Sequence, residues 1–81
     1  MKVKPLSPRL SKYLKNHGLV TKFNKQIRLL SENPKHPSLH TELLEPKQMR
    51  VYSFKIDRKY RTTFGIVSGQ IQIFDITDHY Q

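Results

Sequence analysis

The apolar positions of this chain change period near its middle. From Leu10 they recur at helical spacing, with Tyr13, Leu14 and His17 following at i+3, i+4 and i+7. Ser7-Pro8 supplies a start, because serine caps a first turn and proline suits the first helical position; Gly18 supplies a stop. A second amphipathic helix is expected from Val20 to Glu32. Its apolar stripe runs through Val20, Phe23, Ile27 and Leu30, with Lys22, Lys25 and Arg28 on the opposite side. Asn33-Pro34 ends it, since the residue before a proline avoids the helical region. "KHPSLHTELLEP" then reads as a loop passing into a short extended run, Leu39 to Leu44, which Pro46 closes at an edge or a strand end.

After Arg50 the period becomes two. Tyr52, Phe54 and Ile56 alternate with Val51, Ser53 and Lys55; Tyr60, Thr62, Phe64 and Ile66 alternate with Arg61, Thr63, Gly65 and Val67. Ser68-Gly69 is a hairpin turn into "QIQIFDI", where the alternation slips between Ile73 and Phe74. Such a slip means burial on both faces or a β-bulge. "KVKP" at the start is a candidate for a further short strand. Helices followed by a run of strands predict one α+β domain over residues 1–81: two N-terminal helices packed on one face of a twisted antiparallel sheet. The second sheet face stays open, and function is expected there. Tyr13, Tyr52 and Phe64 are expected in the core.

The strand pattern also predicts a register. A three-residue loop, Asp57-Arg58-Lys59, sets Ile56 opposite Tyr60, Phe54 opposite Thr62, Ser53 opposite Thr63 and Lys55 opposite Arg61. A two-residue loop would pair Ile56 with Arg61 and break the faces. Like charges directly across an antiparallel pair repel. Lys55 and Arg61 therefore either splay into water or hold a phosphate between them. Lys47, Arg50, Arg58 and Lys59, near the ends of the same hairpin, extend that field.

Composition sharpens this picture. Fifteen Lys and Arg against six Asp and Glu give a net charge of +9, concentrated in residues 1–35 and 47–61. On so small a domain this points to a polyanionic partner: RNA, DNA or an acidic protein. The absence of cysteine removes disulfides and thiolate metal sites, and histidines at 17, 36, 40 and 79 do not have the spacing of a metal set. No metal and no small-molecule cofactor are expected. His17 reads as a helix-end residue complementing the dipole, and His36 as a loop residue bonded to backbone. No apolar run approaches the roughly 18 residues that a membrane span needs. The basic start lacks the apolar core of a signal peptide, so a reducing cytoplasm is the expected setting and no membrane partner is expected. The chain closes on His79-Tyr80, which is either an untidy tail or a pair held at a site.

"HPSLHTELLE", "VYSFKIDRKYRTTF" and "IQIFDITDHYQ", after two basic helices, resemble the RelE/ParE superfamily of bacterial toxins. The resemblance covers nearly the whole chain and is strongest from His36 to Tyr80. It implies two helices on a twisted antiparallel sheet. It also implies one of two activities: cutting mRNA in the ribosomal A site, or, in the ParE branch, poisoning DNA gyrase without cutting RNA. A cognate antitoxin protein blocks the members that cut mRNA. Arg61 matches the arginine of the family's "YRLVY"-type strand, a transition-state stabiliser in the ribonuclease branch. Lys55 falls close to a basic position that contacts the scissile phosphate. His79-Tyr80 match a His-Tyr end that does acid/base and base-stacking work. His40, and less closely His36, lie where other members keep a basic residue, a histidine or a glutamate base. The sequence departs from the pattern there, because no carboxylate occupies the base position, although Glu42 is nearby. The expected catalytic set is thus Arg61, His79, Tyr80, Lys55 and His40, with Lys47, Arg50, Arg58 and Lys59 contacting RNA. The chemistry implied is metal-free attack by the ribose 2′-OH. A gyrase-directed inhibitor and a non-catalytic basic RNA-binding module are the alternatives.

Overall fold

The computed structural model describes residues 1–78. Helix α1 spans Pro8–Asn16, and the Ser7 hydroxyl accepts the Leu10 N–H at 3.3 Å, the cap that Ser7-Pro8 foretold. Gly18, at φ +64°, takes the chain out of α1 through the left-handed region. Helix α2 spans Val20–Glu32 and stops at the expected Asn33-Pro34. Its buried face differs from the expected stripe. Leu19, Phe23, Gln26 and Leu30 are buried, whereas Val20 is exposed and Ile27 half-buried. The helix is rotated because Gln26 is drawn inward: its Nε2 donates to the Ser38 carbonyl at 3.1 Å and the Lys55 carbonyl at 2.7 Å. A buried amide is tolerated when its donors are matched in this way.

The sheet has four strands in the order β1 (Glu42–Leu43), β2 (Tyr52–Lys55), β3 (Arg61–Val67) and β4 (Gln70–Thr77), each antiparallel to the next. The extended run expected from Leu39 to Leu44 is shorter than its apolar pattern. Leu39 is buried in a 3-10 turn, Pro37–Leu39, and His40 follows in the left-handed region at φ 46°, so only Glu42 and Leu43 pair with Ser53 and Tyr52. Between β2 and β3 the register is the predicted one: Ser53 opposite Thr63, Phe54 opposite Thr62, Lys55 opposite Arg61. Ser68 and Gly69 both have positive φ, 53° and 76°, as a two-residue hairpin turn of right-handed strand twist requires. The phase slip in β4 is a bulge. Thr63 faces Asp75 and Phe64 faces Ile73, leaving Phe74 as the extra residue. "KVKP" does reach the sheet, through a parallel bridge from Val3 to Ile71.

The helices pack against one face of this sheet, in an α+β arrangement. Leu10, Leu14, Leu19, Phe23 and Leu30 meet Leu39, Phe54, Ile56, Phe64, Ile71, Ile73 and Ile76 in one core. Phe64 is interior as expected, but Tyr13 and Tyr52 are only half-buried against that core. Tyr13 instead stacks on His17, with ring centroids 3.9 Å apart, and Tyr60 meets both rings edge-on. His17 Nδ1 also bonds the Tyr13 carbonyl at 2.8 Å. This aromatic cluster fixes the β2–β3 hairpin tip to α1.

Asp57 shapes the same tip. Its Oδ1 accepts the backbone N–H groups of Lys59 and Tyr60, each at 2.9 Å, and its Oδ2 accepts Lys22 Nζ at 3.1 Å. Burial opposes ionisation of this carboxyl, but the two N–H groups and the Lys22 ammonium outweigh it and hold its pKa below the usual carboxylate range. A depressed carboxylate contributes stability above its unfolded pKa, about 3.9, and that contribution is lost as pH falls through the folded value. Asp57→Asn is therefore expected to be less stable than the wild type at pH 6, by about 1 kcal/mol. The two proteins should converge below pH 4, as followed by circular-dichroism melts across pH 2–7. A gap that stayed constant over that range would exclude ionisation as its cause.

Candidate functional site

Arg61 is the centre of the open-face chemistry, yet it does not splay into water. Only 6 % of it is exposed. Nε donates to Ser53 Oγ at 3.2 Å, and Nη2 donates both to Ser53 Oγ at 2.8 Å and to the His40 carbonyl at 2.6 Å. Two local features make this anchoring possible. The β2–β3 register puts Ser53 on the same face, two residues along β2 from the partner of Arg61. The left-handed turn at His40 brings that residue's carbonyl to the guanidinium. A non-glycine residue at positive φ costs of order 1 kcal/mol and persists where surrounding contacts demand it.

Arg61 lines a cleft of about 300 Å³. His40 and Glu42 line it too, together with Lys55 and the hairpin tip Asp57, Arg58 and Lys59. Four cationic side chains thus share the cleft with two carboxylates, and one of these, Asp57, is committed to the turn and to Lys22. The geometry keeps together five residues expected at the site: His40, Lys55, Arg58, Lys59 and Arg61. Lys47 and Arg50 are not among those lining it. Both are exposed, Lys47 in a second 3-10 turn (Lys47–Met49) and Arg50 just after it in the left-handed region at φ 54°. His79 and Tyr80 lie outside the described residues; Thr77, two positions earlier, pairs with Arg61 at the end of β4.

Ser53 is a site residue that the sequence pattern did not single out, and Glu42 stood there only as a carboxylate near the base position. Glu42 pairs with Ser53 across β1 and β2, which sets a carboxylate one strand from the Arg61 anchor. The hydrophobic pattern did foresee an extended run there, but the pairing register of β1 depends on the His40 turn, which has no periodic signature. His36 is a loop residue: its Nδ1 accepts the Ser38 N–H at 3.2 Å. A second, larger groove of about 640 Å³ is mainly apolar and is lined by Tyr52, Phe64, Ile66, Pro34 and Pro37, among others. Among the described residues no three His, Asp or Glu side chains come together as metal ligands, and no helix is long and apolar enough to cross a membrane.

Taken together, the two helices and the four-stranded antiparallel meander make an α+β fold that solved toxin–antitoxin structures share. Among the solved structures with this fold are ones of YoeB from Staphylococcus aureus. A YoeB–YefM complex aligns at a TM-score of 0.72 and 22% identity, over 99% of this chain and 100% of the other. A heterotetrameric YoeB–YefM toxin–antitoxin complex from the same organism aligns at 0.72 and 21%, again over 99% and 100%. A YoeB dimer aligns at 0.68 and 21%, over 98% and 94%. No protein-family model matches the chain, and no curated protein matches it at a significant level.

Proposed function

We propose that this protein is the toxin of a type II toxin–antitoxin pair, a cytoplasmic, ribosome-associated endoribonuclease that cuts mRNA in the ribosomal A site. One observation carries the reading: a buried, two-point-anchored Arg61 in a cationic cleft that also holds a carboxylate and a histidine. The solved YoeB chains, two of them in complexes with YefM, support a cognate antitoxin as partner. An acidic segment of that partner would complement the basic surfaces.

Metal-free RNA cleavage moves two protons and one phosphoryl bond. A base takes the proton of the ribose 2′-OH as its oxygen attacks the phosphorus, and the bond to the 5′-oxygen breaks. That oxygen takes a proton from an acid, leaving a 2′,3′-cyclic phosphate and a 5′-OH. Glu42 is the base we assign, a carboxylate lining the cleft with Arg61 and Lys55; His40 is the second candidate. Arg61 and Lys55 stabilise the charge that builds on the phosphorane oxygens. An arginine held in place in the ground state needs no reorganisation at that moment. His79 is assigned as the acid, since an imidazolium can give up a proton in the neutral range, and Tyr80 as a ring for a base to stack on. Arg58 and Lys59, in the cleft, and Lys47 and Arg50, outside it, contact the RNA backbone.

Glu42→Gln removes the base and keeps the shape. It is expected to lower single-turnover cleavage by 10²-fold or more while leaving RNA affinity within about twofold. Equal losses in both would assign Glu42 to binding instead. The function as a whole is tested by inducing the chain in a bacterium without antitoxin and mapping mRNA 5′ ends by primer extension. New cuts within translated frames are expected. Arrest with intact mRNA would overturn the reading in favour of gyrase, and neither arrest nor cuts would leave a binding module.

A further inference from the structure

Phe74 is a large apolar residue left out of the core. It is the extra residue of the β4 bulge and is 39% exposed, while its neighbours Ile73 and Ile76 are buried. Its ring does not hang free. It lies on the backbone of Gly65, where a Cβ would stand 2.9 Å from both Cε2 and Cζ of the ring. Any other residue at Gly65 would push the ring away. The bulge and the glycine together seat an aromatic ring against the open face of the sheet.

That seat is aligned with the cleft. Arg61, Thr63 and Gly65 alternate onto one face of β3, and the backbone positions of Arg61 and Gly65, the seat of the ring, are roughly 13 Å apart at the usual rise per residue. The carbonyl oxygen of Arg50 lies 3.5 Å from the same Cβ position, which brings the turn carrying exposed Lys47 and Arg50 alongside the ring. One face thus carries a cationic cleft, then Thr63, and then an exposed ring near a turn that holds further cations. Alternating charge and π surface matches single-stranded RNA, whose backbone is anionic and whose bases stack on aromatic faces. Met49, in the same turn as Lys47, and Val67, two residues along β3 from Gly65, are also exposed, but the positive charge of that turn favours an anionic partner over an apolar one.

Building on the ribonuclease reading, we propose that Phe74 is a base-stacking platform for single-stranded RNA. It holds an unpaired base flanking the phosphate in the Arg61 cleft and so sets which phosphate is presented there. The probe is a fluorescent, fully 2′-O-methylated RNA decamer, which lacks the nucleophile for cleavage, titrated by anisotropy at several salt concentrations. Phe74→Leu keeps an apolar cover on Gly65 but removes the π face. It is expected to weaken binding about tenfold with an unchanged salt slope, whereas Phe74→Trp should bind as tightly as the wild type or more so. Lys55→Ala should weaken binding and lower the salt slope by about 1.

If Phe74→Leu binds like the wild type while Lys55→Ala is weakened, the platform is overturned and the RNA reading stands. The ring would then be only a cover for the glycine. A wild-type protein that does not bind the probe overturns both. Melting curves establish that each variant is folded; should the leucine variant not fold, a tenfold loss in Phe74→Trp overturns the platform on its own.

Discussion

Arg61→Ala is expected to abolish mRNA cutting, with single-turnover rates down by at least about 10²- to 10³-fold, the scale on which lost transition-state donors are felt. Removing the side chain takes away the cation at the cleft. It also strips Ser53 Oγ and the His40 carbonyl of their shared donor. Ser53 is buried, and an orphaned buried acceptor costs about 1–3 kcal/mol, so the variant should melt earlier as well as cut slowly. Arg61→Lys separates the two effects. An ammonium keeps the charge, but it cannot reproduce a planar fork that bonds Ser53 through Nε and Nη2 while Nη2 also reaches His40. We expect Arg61→Lys to recover part of the RNA affinity and little of the rate. A lysine variant cutting within tenfold of the wild type would show that charge alone suffices and that the anchoring has no catalytic value.

The largest effect on stability is expected at Phe54. Its side chain is fully buried, with ring centroids of Phe23 and Phe64 at 6.1 and 5.7 Å, so it joins α2 to the centre of the sheet. Phe54→Ala should cost about 3–5 kcal/mol through lost burial and the cavity left behind. Native domains have only about 5–15 kcal/mol in total, and small ones sit at the low end of that range. Urea titration should show Phe54→Ala largely unfolded or with its midpoint near zero denaturant. Phe54→Leu, which preserves more volume, should stay folded with a smaller loss. A midpoint for the alanine variant close to the wild type would mean that the core collapses around the gap.

Several of these features were legible from residue order alone because they are local. Ser7-Pro8 and Asn33-Pro34 bound helices through their own backbone chemistry. The alternation around Asp57-Arg58-Lys59 admits one register without exposing an apolar face, and the slip at Ile73-Phe74 is the bulge itself. The site was legible as charge rather than as geometry. That Lys55 and Arg61 face each other follows from alternation; that Arg61 is bonded inward does not, since its acceptors are a serine on the next strand and the carbonyl of His40. Carbonyl directions leave no mark in side-chain periodicity. Glu42 was obscured for the same reason: two paired residues after a left-handed turn form too short a strand to reveal its register. In α2 the spacing allowed two overlapping stripes, and distant acceptors for Gln26 chose between them.

Gln26 has a consequence for how the cleft can move. Its single amide nitrogen bonds the Ser38 carbonyl, two residues before His40, and the Lys55 carbonyl, opposite Arg61. Both walls of the cleft are therefore tethered to one side chain on a core helix. Neither wall can swing out as an independent lid, because parting them strands a buried donor and loosens the seating of α2. Opening of the cleft is coupled to partial melting of the domain, so the cleft and the core helix form a single cooperative unit.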